Sequence, residues 1–528
     1  MTMASNYYRK IIQRRLSSSS SSMRTSHGAA DNVRKAVAMS GAPPSIASIL
    51  DNGGDSDGGG DMRDKTAAFI RQVGCTRRVF LLRPHLTATE MEGLAYRVKT
   101  LTKNDSINSV LIATDDRDDS DALPSSLVDL DYPFLRGDEA VDMGFPPAPG
   151  FTWHVSSGYD PLALWKSGDS NNPEAVEYLL SSLGKLAMAT RGDSAKTKIP
   201  VITMPHGAVQ DGGFALCMGS YVIATNESTF RIMNPSRGLS LDPIGLSYLL
   251  PRLGKEFRQP AADYKGCGII LGCMGYEADA SDMVETGLAT NFVETPVALG
   301  LFEQTLSEIK PWYQQTITKE PKRFHGEPEP TGDHNAEFRN VAVADAVHSF
   351  TSYRADGADL WVHNEQEAFL GVDPALDTDH QPWHEERMSD LVNYAATFDK
   401  IFTKEMTLEG IVERFREIAA KETKDPEEQE GIDVAADFVE RLERQSPLAV
   451  CATHRLLGMG ALEKETLASC MEREKNVQAK LLTMPDFQNW AKYASQHKGD
   501  TALPPFTGWK HKSIKDVPKD QILELVGS

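Results

Sequence analysis

The chain has 528 residues, 40% of them apolar and 25% charged, and a net charge of −20. This is the composition of a globular protein able to bury a large core, and its acidity disfavours an enzyme of nucleic acids, whose phosphates need a basic face. The 6 cysteines follow neither a disulfide nor a zinc spacing, which fits a reducing compartment, and no apolar run is long enough to span a bilayer.

The first thirty residues stand apart. Arg9, Lys10, Arg14, Arg15 and Arg24 occur with no acidic residue before Asp31, and Ser17 to Ser22 is unbroken serine. Tyr7, Tyr8, Ile11, Ile12 and Leu16 can line one helix face opposite the arginines. A basic, serine-rich, amphipathic start has the pattern of a mitochondrial targeting segment over residues 1–30; a plastid address and a plain basic tail are the alternatives. Residues 31–75 include the Gly/Asp run from Asp51 to Asp61 and are expected to be a disordered linker.

The folded part is expected to start at Thr76 and its first region to run over 76–310. Residues 78–84 read as a strand. Residues 90–102 read as an amphipathic helix with Met91, Leu94, Ala95, Val98 and Leu101 on one face, and 109–113 as the next strand. This alternation argues for an α/β fold. Residues 114–150 turn acidic and proline-rich, as in a surface insertion. They lead into Ser156-Ser157-Gly158-Tyr159-Asp160. His154, Ser157 and Asp160 could be imagined as a catalytic triad, but triad members usually meet from distant parts of a chain.

The most informative stretch is 199–253. Ile199 to Ile202 is an apolar strand, followed by His206-Gly207 and by Asp211-Gly212-Gly213 opening into the helically spaced 214–218. Glycines between strand and helix allow close backbone approach and aim N–H groups at a ligand, where the helix dipole favours negative charge. Tyr221 to Ala224 is a second strand, and another helix ends near Leu253. Helix is expected again over 297–309. Residues 311–398 show little period and read as an irregular insertion. His380 and His384 stand four apart there, but Pro382 lies between them and the HExxH order is missing, so no metal site is expected. Residues 399–528 read as a helical C-terminal region. Thr407 can cap a helix through Leu408, Ile411, Val412, Phe415 and Ile418, residues 421–430 form a charged loop, and a further helix follows Ser446-Pro447.

The order of these features resembles the crotonase (enoyl-CoA hydratase/isomerase) superfamily, and within it the 3-hydroxyisobutyryl-CoA hydrolase branch. The matching residues are His206-Gly207, Asp211-Gly212-Gly213, Ala224-Thr225, Gly238-Leu239-Ser240-Leu241-Asp242, Leu250-Pro251-Arg252-Leu253 and Gly287-Leu288-Ala289-Thr290. The resemblance implies a crotonase-type ββα spiral core with a helical C-terminal region. It also implies a site that polarises a coenzyme A thioester between two backbone N–H groups. Carried over, those donors belong to Ser157 and Gly212, with Gly158, Gly213 and Asp211 around them.

The hydrolase branch also uses a glutamate and, eight residues on, an aspartate. These fall on Asn234 and Asp242, with Pro243 as a rival alignment for the second. An amide can neither take up a proton near neutral pH nor act as a good nucleophile, so Asn234 is the main departure from the pattern. Asp211 in place of a glycine and the changed segment at Asp486-Phe487 are two more.

The expectation is a short-chain acyl-CoA thioester hydrolase of valine breakdown in the mitochondrial matrix, with Asp242 still able to activate water. Its cofactor needs would go no further than the thioester substrate. No metal, membrane or direct nucleic-acid contact is expected, and a homo-oligomer is possible. The alternative is a catalytically weak or inactive structural protein docked on mitochondrial small-subunit ribosomal proteins. An enoyl-CoA hydratase or isomerase ranks third, since Phe214-Ala215 offers no carboxylate beside the glycine turn.

Overall fold

The computed structural model describes residues 68–81, 85–113, 154–156, 158–192, 199–253, 265–293, 299–311, 341–351, 353–354, 389–402, 407–423, 425–497 and 506–527, all within the unit Arg63–Ser528. The expected targeting segment, the acidic insertion 114–150, Ser157, His380 and His384 lie outside the described residues.

The strands in chain order begin with β1 (Ala68–Val73), β2 (Thr76–Leu81), β3 (Ser109–Ala113), β4 (His154–Ser156), β5 (Val201–Met204) and β6 (Ala208–Gln210). They continue with β7 (Tyr221–Thr225), β8 (Thr229–Arg231), β9 (Glu277–Ala278), β10 (Asn291–Val293) and β11 (Tyr353–Arg354). One sheet has the order β1-β2-β3-β5-β7-β10-β11 and the other β4-β6-β8-β9. From β3 to β8 the chain visits the two sheets alternately; helices link β4 to β5, a 3-10 turn links β6 to β7, and three-residue turns link β5 to β6 and β7 to β8. The result is the crotonase-type spiral, an α/β core to which a helical C-terminal region is added.

Strands β3, β5 and β7 are buried along their whole length, as parallel strands covered on both faces must be. Their side chains alternate. Val110, Ile112, Val201, Val222 and Ala224 face the large core, while Leu111, Ala113, Ile202, Met204, Tyr221 and Ile223 face the other way. That second face is closed by the helices Leu299–Glu308 and Val341–Phe350, through Phe302, Leu306, Val343 and Val347. Phe302 and Phe350 stack with ring centroids 4.3 Å apart.

Two expected boundaries are corrected. Residues 68–75 belong to the fold and not to a linker: β1 pairs antiparallel with β2 from Ala68↔Leu81 to Val73↔Thr76. A six-residue strand beside a Gly/Asp run has no local signal strong enough to announce itself, and its backbone hydrogen bonds come from its partner. Part of 311–398 also joins the body. The helix Val341–Phe350 covers the sheet, β11 pairs with β10, and the helix Asp390–Thr397 buries Leu391 and Ala395. Short elements separated by long polar stretches show no periodicity over a usable window.

In the N-terminal half, the helix Ala88–Leu101 begins at a capping box, with Thr87 and Glu90 satisfying each other's backbone N–H groups. It packs through Met91, Leu94, Ala95 and Val98 beside the helix Pro173–Arg191. The C-terminal region runs as the helices Leu408–Ala419, Pro426–Glu443, Pro447–Gly460, Leu467–Leu482, Pro485–Gln496 and Lys519–Val526. Thr407 caps the first of them as expected, accepting from the Gly410 N–H. The expected charged loop 421–430 is shorter than read, because Pro426 starts a helix whose first position tolerates proline.

Candidate functional site

Three parallel strands position the site. β4, β6 and β8 lie side by side, with Ser156 opposite Val209 and Gln210 opposite Arg231. Their carboxyl ends therefore deliver Gly158, Asp211-Gly212 and Met233-Asn234 to one edge, the usual location of ligands in open α/β sheets. Glycine is required at position 158, and position 212 is crowded. Gly158 has φ +77, and a Cβ on it would stand 2.8 Å from the Gly212 Cα; one on Gly212 would stand 2.9 Å from Leu183 Cδ2 and 3.0 Å from Asp242 Oδ2. Gly212 and Gly213 open the buried 3-10 turn Asp211–Cys217 that the sequence announced as helical.

Asp242 is the carboxylate at this turn. It is fully buried, and its Oδ1 accepts from Gln478 Nε2 at 2.9 Å while Oδ2 faces Gly212. Burial first, and then the charge of Asp211, push its carboxyl up to about 7; Asn234, Tyr159 and Gln478 pull it partly back. Pro243, the rival in the alignment, presents only its carbonyl, toward Gly184. The carboxylate that reaches the turn is that of Asp242.

Asp211 has another task. It is the residue other than glycine with positive φ among those described, at +44. Oδ1 accepts the N–H groups of Met233 (2.7 Å) and Asn234 (2.9 Å), and Oδ2 pairs with Arg237 at 3.0 Å. The carboxylate thus caps the 3-10 turn Asn234–Arg237, whose own N-cap residue provides no side chain for the purpose. Burial raises the Asp211 pKa, and Arg237 and the two N–H groups oppose the rise. The charge of Asp211, in turn, raises the neighbouring Asp242 carboxyl.

Asn234 and Asp242, the two positions onto which the resemblance carries the hydrolase pair, lie close together. The Asn234 side chain lies close enough to favour the charged form of Asp242, yet its Nδ2 is buried and makes no hydrogen bond among the described residues. A carboxamide here supplies a donor but no base.

Other residues of the sequence motifs have structural partners. Asp160 is not a triad member: its Oδ1 caps the helix Pro161–Lys166, accepting from the Leu162 N–H at 2.8 Å. His206 is buried and bonded through Nδ1 to Thr225 Oγ1 at 2.9 Å, and burial lowers its pKa to about 4, so it stays neutral. Asp486 accepts from Ser446 Oγ at 2.5 Å and from the Lys510 N–H at 2.8 Å. The altered Asp486-Phe487 segment therefore packs on Gly238, behind the Asn234 turn. Among the described residues no group of three His, Cys, Asp or Glu could hold a metal ion, and no helix is long and apolar enough to cross a membrane.

Sequence reasoning missed Tyr159, Glu474 and Gln478. Gln478 Nε2 donates to Tyr159 Oη at 3.1 Å as well as to Asp242. Burial, together with the charge of Asp242, keeps the Tyr159 hydroxyl protonated. Glu474 accepts from the Gly245 and Ser247 N–H groups at 2.7 and 2.6 Å, and burial pushes its carboxyl up to about 7. One signal was available. Glu474 and Gln478 interrupt the apolar stripe Cys470, Met471, Val477, Leu481 of the helix Leu467–Leu482, and a polar residue on a buried stripe needs a partner.

Set beside known proteins, the chain matches the family model described as enoyl-CoA hydratase/isomerase over residues 156–369 and 362–526. It is 27% identical over 129 residues to human mitochondrial 3-hydroxyisobutyryl-CoA hydrolase, a stretch covering 24% of this chain and 30% of that protein. The Mus musculus hydrolase of the same name is 30% identical over 118 residues, 22% of this chain and 27% of that one. The matched stretch is thus under a third of these relatives' length. Among solved structures, a carnitinyl-CoA dehydratase from Mycobacterium thermoresistibile superposes with TM-score 0.54 at 15% identity, covering 88% of this chain and 96% of that one. An enoyl-CoA hydratase from Rhodobacter sphaeroides gives 0.50 at 17% identity, with 87% and 97% covered. These likenesses show the fold.

Proposed function

The chain belongs to the enoyl-CoA hydratase/isomerase family, and on that premise we propose that it is a mitochondrial acyl-CoA thioester hydrolase with Asp242 as its proton-transferring group. The observation that carries this is the buried Asp242 carboxyl, about 7 in pKa, set directly against the Gly212 backbone. A general acid–base works best when its pKa lies near the operating pH. In this reading the thioester carbonyl sits between the N–H groups of Gly212 and Ser157, whose donors stabilise the developing oxyanion; losing one such donor costs about 2.7–4 kcal/mol of barrier. Asp242 takes a proton from water as it attacks the carbonyl carbon and returns it to the departing coenzyme A sulfur. No covalent acyl intermediate forms, because Asn234 stands where the hydrolase pattern has its glutamate. A short acyl group, such as the 3-hydroxyisobutyryl group named for the relatives, fits the expectation from sequence.

Asn234 also favours a second reading, a structural subunit of the mitochondrial small ribosomal subunit that keeps the fold without turnover. Release of coenzyme A from a panel of short acyl-CoAs by the purified protein separates the two. Release that vanishes in Asp242→Ala supports the hydrolase. No release and no coenzyme A binding by calorimetry would rule it out and send the search to large assemblies.

A further inference from the structure

We propose that Gln478, carried by the C-terminal helix Leu467–Leu482, is the positioning residue of this site, fixing which oxygen of Asp242 faces the glycine turn. Its effect on turnover presupposes the hydrolase reading; its hold on Asp242 does not.

Gln478 is fully buried, and every part of its amide is used. Oε1 accepts the Ser240 N–H at 2.9 Å. A backbone N–H admits only the oxygen, so the amide cannot be turned over, and its NH2 must face the other way. There it donates to Asp242 Oδ1 at 2.9 Å and to Tyr159 Oη at 3.1 Å. With Oδ1 occupied, Oδ2 is the oxygen left against Gly212.

The same helix holds the rest of the Asp242 loop one turn earlier, where Glu474 accepts the Gly245 and Ser247 N–H groups. Ser240 Oγ is tied separately to Thr453 Oγ1 at 2.9 Å. The loop 240–247 therefore has little geometry of its own: a helix more than two hundred residues away in sequence sets the aim of Asp242. On this view the C-terminal region is part of the site and not an appendage to it. An amide also suits the place better than a charged donor. It stabilises the carboxylate enough to make it ionisable without fixing it as permanently charged.

Gln478→Met keeps the volume and removes the hydrogen bonds; Gln478→Glu keeps the Ser240 acceptor and replaces the donor by an acceptor. The groups that face Asp242 are Asp211 from the glycine turn, Asn234, Tyr159, and Glu474 from the same helix, and both variants leave all of them in place. The full chain is labelled with carboxyl-13C aspartate, and the Asp242 signal, identified by its absence in Asp242→Asn, is titrated directly. In both variants its midpoint is expected to rise by about one to two pH units, the worth of one hydrogen bond to a charged group. The limb of the coenzyme A release profile that needs ionised Asp242 moves with it. An Asp242 midpoint unmoved in both variants would overturn the proposal. A shifted midpoint in a protein that cleaves no thioester would uphold the positioning role and remove the hydrolase reading.

Discussion

Asp242→Asn should make this protein more stable in alkaline solution and, on the proposed hydrolase reading, abolish coenzyme A release. The Asp242 carboxyl rises from an ordinary value of 3.8 to about 7 on folding. An acid with a raised folded pKa binds its proton more tightly in the folded state. Its ionisation therefore opposes folding above pH 7, and the opposition is relieved as pH falls from 7 toward 4. A rise of about 3 units at 1.36 kcal/mol each gives about 4 kcal/mol at full development, of which about 1–2 kcal/mol already acts at pH 5. Between pH 5 and pH 8 the wild type should thus lose about 2–3 kcal/mol that the asparagine variant retains. Asparagine keeps the volume and, through its carbonyl oxygen, the bond from Gln478. Glu474, raised to about 7, and Asp282, raised to about 6, act in the same direction in both proteins. The difference between the two proteins isolates Asp242. Urea unfolding at the two pH values measures it, with coenzyme A release assayed in parallel. Parallel stability profiles for the two proteins would refute the reasoning, because they would mean that Asp242 titrates alike in the folded and unfolded chain.

Gly212→Ala would drive a Cβ against Leu183 Cδ2 and Asp242 Oδ2; a loss of about 1–3 kcal/mol in thermal or urea unfolding and loss of coenzyme A release are expected. Asp211→Ala leaves the largely buried Arg237 unpaired and two N–H groups without their acceptor, and should destabilise by about 3–5 kcal/mol in urea unfolding. Asp211→Asn, which tolerates positive φ and keeps one acceptor, should lose less. Asn234→Glu should increase thioester hydrolysis, because it restores a carboxylate beside an existing one. It should also raise the Asp242 midpoint by like-charge repulsion and lower stability at pH 8 relative to pH 5, both measurable by titration and unfolding.

Much of this protein was legible in its sequence wherever the signal is local. The strand 109–113 matches its expected bounds, because a fully buried parallel strand is a continuous apolar run. Thr407 is a cap because a hydroxyl before an amphipathic period can satisfy a helix N–H group. The ordered glycine, His-Gly and Leu-Pro-Arg-Leu motifs placed the chain in its family, and the resemblance carried a pair of positions onto Asn234 and Asp242. Tertiary structure alone decided the rest. That Asp211 caps the turn at Asn234 depends on the register of β6 against β8. That the Asp242 carboxyl is raised to about 7 depends on burial and on the charge of Asp211 beside it. That Tyr159, Glu474 and Gln478 belong to the site depends on a helix docking hundreds of residues from the strands it serves. Periodicity reports which face of an element is buried; ionisation and aim are set by what lies opposite that face, and in this chain the opposing groups come from the far end of the sequence.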